Sequence, residues 1–406
     1  MSKGAGKPGW EIKKLGDVCS FENGDRGTNY PSRSARTSQG IPFINAGHLT
    51  DDGIDIGRMN YISRERFDLL SNGKIRSGDI LFCLRGSLGK CASVGDLCEG
   101  AIASSLVIVR PRESVLDAYV MDYFRSDICS RMIAQFKNGA AQPNLSANSL
   151  GSFTIPVPPL PEQKRIVGIL DEAFDGIATA KANAEKNLQN ARALFESHLH
   201  AVFSQRCERS AERPLGEICR FSSGGTPSKT ESRYWNGSTP WISGRDMKST
   251  RLSDAALHIS QEALAESSTR MAPAGALLTL VRGMGLAHGA QIAELMVPCA
   301  FNQDIRAIHP ERNIASRFLL FALRTGINHS ENVLSNAAHG TLKIDMDALS
   351  SVAIPVPSRV EQERVVRQID ALDAETSRIE SLYRQKLAAL DALKKSLLDR
   401  AFSGLL

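Results

Sequence analysis

The chain has 406 residues, a net charge of +5 at neutral pH and 42% hydrophobic residues, enough to bury the cores of two or three domains and too many for wholesale disorder. Acidic and basic residues are nearly balanced, so an anionic partner such as a nucleic acid has to be met by local patches of positive charge. The longest uncharged apolar stretches fall far short of the roughly 20 residues that a membrane-spanning helix needs.

The first ten residues, MSKGAGKPGW, lack the apolar segment of a secretory signal. We therefore expect the chain to stay in the reducing cytoplasm, with its eight cysteines as thiols. The cysteines form no C-x-x-C pair and the histidines no H-E-x-x-H motif, so the sequence predicts no metal site.

An internal repeat runs through the whole chain. Residues 155–158 (IPVP) recur at 354–357, and the Glu-Gln pair at 162–163 recurs at 361–362, both at a shift of 199. Upstream matches persist with small insertions and deletions. The sequence therefore consists of two copies of one unit of about 200 residues.

In chain order, residues 1–159 form a predicted globular segment whose short apolar runs, such as 79–82 and 105–109, are bounded by turn residues and are typical of strands. Residues 160–205 then predict one long helix. Residues 206–358 repeat the globular pattern, with a strand predicted at 277–281, and residues 359–406 repeat the helix.

Both helical segments carry apolar residues at alternating steps of three and four, the pattern of a coiled-coil seam. Each helix of about 43 residues would extend about 65 Å. We expect the two helices to pair antiparallel, with the globular halves at opposite ends, rather than to lie separately on their own domains. The predicted seam runs through Ile166, Leu170, Ala173, Ile177, Ala180, Ala184, Asn187, Ala191, Leu194, His198 and Ala201, and through Val365, Ile369, Leu372, Thr376, Ile379, Tyr383, Lys386, Leu390, Leu393, Leu397 and Arg400.

Asn187 and Lys386 occupy equivalent places in this seam, where a polar residue can fix the register of two helices. We take that role as a hypothesis. The predicted fold class is α+β, with two mixed α/β domains related by internal repeat and separated by a pair of long antiparallel coiled-coil helices.

Catalytic motifs are missing from the sequence. The Asn/Asp-Pro-Pro-aromatic loop of DNA amino-methyltransferases is represented only by VPPL at 157–160. The segment 85–91 (RGSLGKC) lacks the first glycine and the hydroxyl residue of a phosphate-binding loop, and no G-x-S-x-G nucleophile motif is present. The sequence therefore does not predict an enzyme that acts on its own.

Several motifs in register identify a family. The second copy contains SGGTPSK at 223–229, YWNG at 234–237 and TPWI at 239–242, followed by IPVP and EQERVV at 361–366. The first copy ends in the same way, with QPNL at 142–145, IPVP and PEQKRIV at 161–167. Over essentially its entire length the chain resembles the specificity subunit of type I restriction-modification systems.

The resemblance implies a non-catalytic DNA reader. Residues 1–159 and 206–358 would be target recognition domains, each reading one half of a bipartite, asymmetric site in double-stranded DNA. The helices at 160–205 and 359–406 would set the spacing and dock two methyltransferase subunits, through which restriction and translocase subunits join. S-adenosylmethionine, ATP and Mg²⁺ would be used by those partner subunits, and no cofactor is expected in this chain.

The candidate DNA-binding residues are donors suited to base edges and phosphates, in places that the repeat makes equivalent. A functionless solvated loop is the alternative for any single residue. In the first half the candidates are Arg26, Asn29, Tyr30, Ser32, Arg33 and Arg36 in the loop 24–39, Arg85, Ser87 and Lys90 in the next turn, and Gln142 and Asn144. In the second half they are Lys229, Ser232, Arg233, Tyr234, Ser243, Arg245, Lys248, Arg282, His288, His339 and Lys343.

The loop 24–39 differs from its counterpart, because GDRGTNYPSR at 24–33 stands where the second copy has the GTPS motif. Such divergence is expected if the two halves read different bases. An alternative function is a scaffold or adaptor that binds partners through the long helices without reading bases.

Overall fold

The computed structural model describes residues 8–51, 53–138, 143–206, 210–283, 285–286, 289, 291–328, 333–336 and 342–406. The chain divides into two compact units. The first unit contains Met1–Glu185 and Arg384–Leu406, and the second contains Lys186–Tyr383. Each unit thus combines one globular half with a part of each long helix.

The first unit contains an antiparallel sheet in the order β2-β11-β8-β9, a second sheet in the order β10-β4-β7-β3, and the pairs β1-β12 and β5-β6. Its strands are β1 (Glu11–Lys14), β2 (Cys19–Asn23), β3 (Arg36–Thr37), β4 (Ile41–Ile44), β5 (Leu49–Thr50), β6 (Gly53–Ile54), β7 (Asn60–Ile62), β8 (Ile80–Cys83), β9 (Cys91–Ser93), β10 (Ala101–Ile102), β11 (Leu106–Pro111) and β12 (Thr154–Val157). Its helices are α1 (Leu15–Val18), α2 (Arg64–Asp68), α3 (Asp117–Arg125), α4 (Asp127–Phe136), α5 (Ala147–Gly151) and the beginning of α6 (Leu160–Ala201).

The second unit contains sheets in the orders β14-β22-β19-β20-β16 and β17-β15-β21-β18, and the pairs β13-β25 and β23-β24. Its strands are β13 (Glu212–Pro214), β14 (Cys219–Ser223), β15 (Thr239–Ile242), β16 (Arg251–Leu252), β17 (Leu257–Ile259), β18 (Arg270–Ala272), β19 (Leu277–Leu280), β20 (Ile292–Leu295), β21 (Cys299–Phe301), β22 (Ile305–Pro310), β23 (Leu334–Asn336), β24 (Leu342–Ile344) and β25 (Ala353–Pro355). Its helices are α7 (Leu215–Ile218), α8 (Gln261–Glu266), α9 (Ser316–Asn328), α10 (Met346–Ser350), the end of α6 from Lys186, and the N-terminal part of α11 (Arg359–Phe402) as far as Tyr383.

The internal repeat is a repeat of topology. The order β2-β11-β8-β9 in the first unit corresponds to β14-β22-β19-β20 in the second, and the parallel pair β4-β10 corresponds to the parallel pair β15-β21. Central strands such as β8 and β19 are buried along their whole length, which explains their continuous apolar sequence. The predicted fold class, two mixed α/β domains related by repeat with long helices, is confirmed.

The glutamine of the Glu-Gln motif ties each long helix to its globular half. The Oε1 atom of Gln163 accepts a hydrogen bond from the backbone N–H of Leu116 at 2.9 Å, and Nε2 donates to the carbonyls of Ser114 at 3.0 Å and Pro158 at 2.8 Å. Gln362 makes the three equivalent bonds in the second unit. Because both side chains are almost completely buried, the repeated motif is accounted for by packing.

Within the first unit the two long helices run in opposite directions. The guanidinium of Arg165, near the start of α6, donates to the carbonyl of Leu406, just beyond the end of α11, at 2.7 Å. Further along α6, the ring of Phe174 lies 5.0 Å from the ammonium of Lys394 on α11. Residue numbers thus rise along one helix as they fall along the other, and the predicted antiparallel pairing is confirmed in this unit.

The predicted seam is correct only for the first part of each helix. Beyond Ala184 the buried stripe moves by one residue, so that Leu194 is 66% exposed while Phe195 is 5% exposed. The same shift occurs in α11, where Leu393 is 47% exposed and Leu398 is buried. A straight helix with 3.6 residues per turn drifts by about 20° per heptad against a 3.5-residue repeat, which moves the packing face to the neighbouring residue.

The register-fixing role proposed for Asn187 and Lys386 is wrong. Both side chains are exposed, because they lie at the point where the buried stripe shifts. Neither residue can therefore be a polar contact inside a helix seam.

Other sequence expectations concern cysteines and membrane spans. In the part of the chain that the structure describes, no helix is long and apolar enough to cross a membrane. The cysteines in the same ranges are all free thiols, as predicted.

Candidate nucleic-acid interface

A short backbone bridge recurs in both units and joins candidate residues that are far apart in sequence. Arg85, in the turn after β8, pairs with Asn144, and Arg282, in the turn after β19, pairs with Lys343. Gly86, with φ of +82°, continues the first turn in a conformation that glycine adopts easily. The sequence predicted these residues separately, and the structure brings them together in equivalent pairs.

Around the first of these bridges lies a polar cavity of about 240 Å³. Arg26, Arg85 and Asn144 contribute to its lining, so candidates from three separate segments share one site. Arg26 is exposed and donates a hydrogen bond to the carbonyl of Ser104 at 3.3 Å. Guanidinium and carboxamide groups are the side chains that read base edges most often, which makes this cavity a candidate for base contact in the first unit.

Two asparagines that the sequence analysis missed also line this cavity. Asn23 is the last residue of β2, and Asn148 lies in α5. Asn23 immediately precedes the loop 24–39 that was selected for its charge, and Asn148 follows the QPNL motif, so proximity to those motifs was the available signal. Charge alone did not reveal them because both side chains are neutral.

The loop 24–39 is anchored at its base by Asp25. This side chain is 7% exposed, and its two oxygens accept hydrogen bonds from the backbone N–H of Gly27 at 2.7 Å and of Ser71 at 2.8 Å. These hydrogen bonds lower the pKa of the Asp25 carboxyl below its usual value. The single acidic residue of the loop is thus structural and holds the basic residues in place.

Three candidates in this loop are partly held by the domain itself. Asn29 donates to the carbonyl of Leu69 at 3.1 Å, and the Tyr30 ring packs edge-on against Phe43 at 5.8 Å. The Arg36 guanidinium lies 5.7 Å from the centre of the same Phe43 ring, and its Nε is buried without a hydrogen-bond partner among the residues described. Contact of these three with DNA stays a prediction.

The remaining loop residues are more accessible. Ser32 and Arg33 are exposed at the start of a short 3₁₀ helix, Arg33–Ala35. The Ser32 hydroxyl shares a hydrogen bond of 2.8 Å with the Ser34 hydroxyl, and the Arg33 guanidinium has no side-chain partner within the described ranges. In the next turn, Arg85, Ser87 and Lys90 are all exposed.

In the second unit, Arg233 and Tyr234 form part of a closed cluster. Arg233 pairs with Glu266 at 2.7 Å and stacks on the Tyr234 ring at 4.8 Å, and the Tyr234 hydroxyl donates to the same carboxylate at 2.9 Å. These hydrogen bonds lower the pKa of Glu266. The Tyr234 ring is buried and offers little surface to a partner. Its contact with DNA stays a prediction.

Other candidates of the second unit differ in accessibility. Ser243 is held by Asp246, to which it donates at 2.7 Å. His288 and His339 of the second half, like Gln142 of the first half, lie outside the described residues. The candidates that are exposed are Lys229, Ser232, Arg233, Arg245, Lys248, Arg282 and Lys343, and of these Arg233 is also paired with Glu266.

Equivalent strands of the two units are joined by different polar side chains, most of them half-buried. In the first unit, Arg110 pairs with Asp79 at 2.7 Å and with Glu22 at 2.8 Å. Burial by itself raises the pKa of Glu22, but the hydrogen bonds from Arg110 and from backbone N–H groups lower it overall. In the second unit, His309 and Ser222 share a hydrogen bond of 2.9 Å, and burial lowers the pKa of His309.

Comparison with known proteins gives matches over both halves. The model of the family described as "Type I restriction modification DNA specificity domain" matches residues 7–189 and again 208–389. The specificity subunit of the Escherichia coli type I enzyme EcoR124I/EcoR124II is 33% identical over 58% of this chain and 59% of that subunit. The chain therefore aligns with less than two thirds of this relative.

A second relative and two solved structures match along nearly the full length. The StySPI specificity subunit of Salmonella potsdam is 22% identical over 100% of this chain and 90% of its own. A chain from a structural study of "complex assembly" and "conformational transition of the type I R-M system" has a TM-score of 0.80 at 22% identity, covering 98% of this chain and 99% of its own. The HsdS subunit of Thermoanaerobacter tengcongensis has a TM-score of 0.58 at 20% identity, covering 100% and 99%.

The structural likenesses support the fold, and the family model supports the predicted resemblance independently of them. Two copies of one family domain account for most of the sequence, in agreement with the repeated topology. This chain belongs to the family of type I restriction-modification DNA specificity subunits.

Proposed function

We propose that this chain selects the DNA on which a type I restriction-modification complex acts, with each globular half reading one half of a bipartite site in double-stranded DNA. The observation that carries the proposal is the double occurrence of the specificity domain, at 7–189 and 208–389. Each copy also has the bridged pair of candidate residues at the same topological place.

Different half-sites are expected for the two copies, because equivalent positions carry different chemistry. Asn144 in the first copy corresponds to Lys343 in the second, and Asn148 corresponds to Asp347. A carboxamide favours adenine, a lysine favours guanine, and a carboxylate accepts a hydrogen bond from cytosine. These differences support reading of an asymmetric site.

The long helices would set the spacing between half-sites and dock two methyltransferase subunits. The helices expose apolar side chains that such subunits would cover: Val360 is 75% exposed, Leu194 66% and Leu382 55%. Methyl transfer with S-adenosylmethionine would belong to those subunits, and ATP- and Mg²⁺-dependent translocation and cleavage to the restriction subunits that join through them.

The decisive experiment is long-read mapping of methylated adenines in a host that carries this chain together with its methyltransferase. We expect methylation at one split sequence, with two defined half-sites and a spacer of fixed length. Methylation that does not depend on this chain, or that follows a single continuous sequence, contradicts the proposal.

The adaptor alternative predicts a different behaviour. An adaptor would leave DNA binding by the complex unchanged when it is added, whereas a DNA reader confers binding to random duplex that weakens steeply with salt. Measuring that affinity with and without this chain separates the two functions.

A further inference from the structure

A strongly basic groove lies within the first unit, beside the turn that carries Arg85 and Lys90. It has a volume of about 470 Å³ and is bounded by the globular half on one side and by α6 and α11 on the other. Its charged lining carries a net charge of +3 and consists of Lys90, Arg125, Lys181, Lys394, Lys395, Asp51 and Asp391.

Few of these positive charges are neutralised. Lys181 forms an ion pair with Asp391. Arg125 donates to the backbone carbonyl of Asp51 at 2.6 Å, which satisfies a hydrogen bond and leaves the charge. Lys90 and Lys395 have no ion pair with any residue that the structure describes. Among the side chains that line the groove, positive charges therefore outnumber negative charges by three.

The equivalent positions of the second unit show whether the charges that line this groove are a general feature of the repeat. At the shift of 199, Arg125 corresponds to Arg324, and Lys395 corresponds to Glu196. Arg324 and Glu196 form an ion pair of 2.5 Å within the second unit. The position of Lys395 in the first unit is thus occupied by an acid in the second unit, where that acid neutralises the equivalent arginine.

A second pair shows the same change. Lys181 corresponds to Glu380, and Asp391 corresponds to Arg192. Arg192 and Glu380 form an ion pair of 2.8 Å within the second unit. The four equivalent positions are therefore neutral in the second unit and carry a net charge of +2 in the first, so packing of the helices does not require the excess charge.

We propose that this groove binds the phosphate backbone of the duplex next to the half-site read by the first globular half, and that this contact is independent of base sequence. The proposal rests on the DNA-reading function proposed above. Duplex DNA carries one negative charge per about 1.7 Å, a density that suits a row of lysines. Continuity of the groove with the turn at Lys90 favours DNA over an acidic protein surface.

The test replaces three residues of the first unit with the residue types found at the equivalent positions of the second unit. The triple variant Lys181→Glu, Asp391→Arg and Lys395→Glu recreates the two ion pairs of the second unit and should fold, because that packing already exists in this chain. It lowers the net charge by 2. Lys164→Glu lowers the net charge equally at an exposed site on α6 outside the groove, and serves as the matched control.

The measurement is the affinity of the complex with its methyltransferase subunits for specific and for random duplex between 50 and 200 mM salt. Loss of two phosphate contacts lowers the slope of log affinity against log salt by about 1.8, so the triple variant should lose about tenfold less affinity over this range than the unmodified complex. Both duplexes should weaken alike, the methylated half-sites should stay the same, and Lys164→Glu should keep the original slope.

Three results overturn the inference. An unchanged slope in a correctly assembled triple variant removes the groove from the DNA interface. Impaired assembly with the methyltransferase at an unchanged slope indicates an acidic protein partner instead. An equal change with Lys164→Glu indicates a general charge effect. If the unmodified complex does not prefer its specific duplex, the DNA-reading function itself fails, which distinguishes that failure from failure of the groove.

Discussion

Gln163 and Gln362 show how one side chain can hold a helix to a sheet domain. Each carboxamide satisfies three buried backbone groups, one N–H and two carbonyls, at the junction where a long helix begins. Leaving buried backbone groups without partners is more damaging than the loss of an ordinary exposed hydrogen bond. The repeated glutamine is thus explained by buried hydrogen bonds that join the start of each long helix to its globular half.

We expect Gln163→Met to lower the free energy of unfolding of the first unit by about 2–4 kcal/mol, since methionine fills a similar volume and bonds none of the three groups. Gln362→Met should have the same effect on the second unit. Hydrogen exchange resolved by segment measures both. Lys164→Met, at the exposed neighbouring position, should change stability by less than about 0.5 kcal/mol, and an equal effect there would contradict the explanation.

Asp122 is a buried carboxylate in α3 that is 4% exposed, and its Oδ2 has no hydrogen-bond partner among the described residues. Burial raises its pKa to about 7, although nearby Arg125 acts in the opposite direction. The folded state therefore keeps a proton on this group between about pH 4 and pH 7, where the unfolded chain has lost it.

The contribution of Asp122 to the free energy of unfolding of the first unit should therefore fall as the pH rises from about 4 to about 7. Above that range this contribution should stay constant. Asp122→Asn removes the titration. We expect the variant to gain about 2–3 kcal/mol relative to the unmodified protein on going from pH 5 to pH 8, as measured by denaturant unfolding at both values. Parallel pH profiles for the two proteins would show that the carboxyl is not protonated in the fold.

Residues that contact base edges and residues that contact only phosphates should respond differently to substitution. Arg33→Ala, on an exposed side chain without a described partner, should relax the preference at one base pair by about 1–3 kcal/mol. Lys90→Ala should weaken binding to all sequences and lower the salt slope by about one. Salt titrations and methylation mapping measure both effects. Arg58→Ala, an exposed arginine outside the candidate loops, should do neither, and wild-type specificity in Arg33→Ala would remove Arg33 from the readers.

At the scale of elements, the predicted strands at 79–82, 105–109 and 277–281 correspond to β8, β11 and β19. Local composition was sufficient for them because central strands buried on both faces need continuous apolar runs. The helix seam was predicted less well. Burial at Phe195 instead of Leu194 depends on how the helix drifts against its neighbour over several turns, which the seven-residue pattern alone does not contain.

We expect four residues inserted in either long helix to change the spacer between half-sites and to leave the half-sites themselves unchanged. Four helical residues add about 6 Å, which corresponds to one or two base pairs of about 3.4 Å. Methylation mapping of the variant gives the spacer directly. Altered bases within a half-site would contradict the assignment of base reading to the globular halves.

At the scale of the whole molecule, the division into compact units does not follow the order of the chain. The last residues, Arg384–Leu406, belong to the same unit as the first globular half. There the Phe402 ring packs against Tyr119 at 5.0 Å and against Tyr123 at 5.8 Å, and Leu398 and Ala401 are buried in the same core. The first unit is therefore complete only when the C-terminal segment is present.

Deleting residues 384–406 should destabilise the first unit and leave the second unit folded, because only the first loses buried side chains of its core. Phe402→Ala should reproduce part of the effect, with a loss of about 3–5 kcal/mol. Segment-resolved hydrogen exchange measures the two units separately. Preferential loss of protection in the second unit would contradict this division.

The sequence by itself determined the repeat, the alternation of globular segments and long helices, and the family, because these are encoded in local periodicity and in motifs at a constant spacing. Only the tertiary structure decided which candidate residues are exposed and which are held by neighbouring side chains. Arg233 pairs with Glu266, and the Arg36 guanidinium lies against the Phe43 ring, and the local sequence pattern predicts neither contact. A side chain's accessibility depends on such partners, and composition does not reveal which partners the fold brings together.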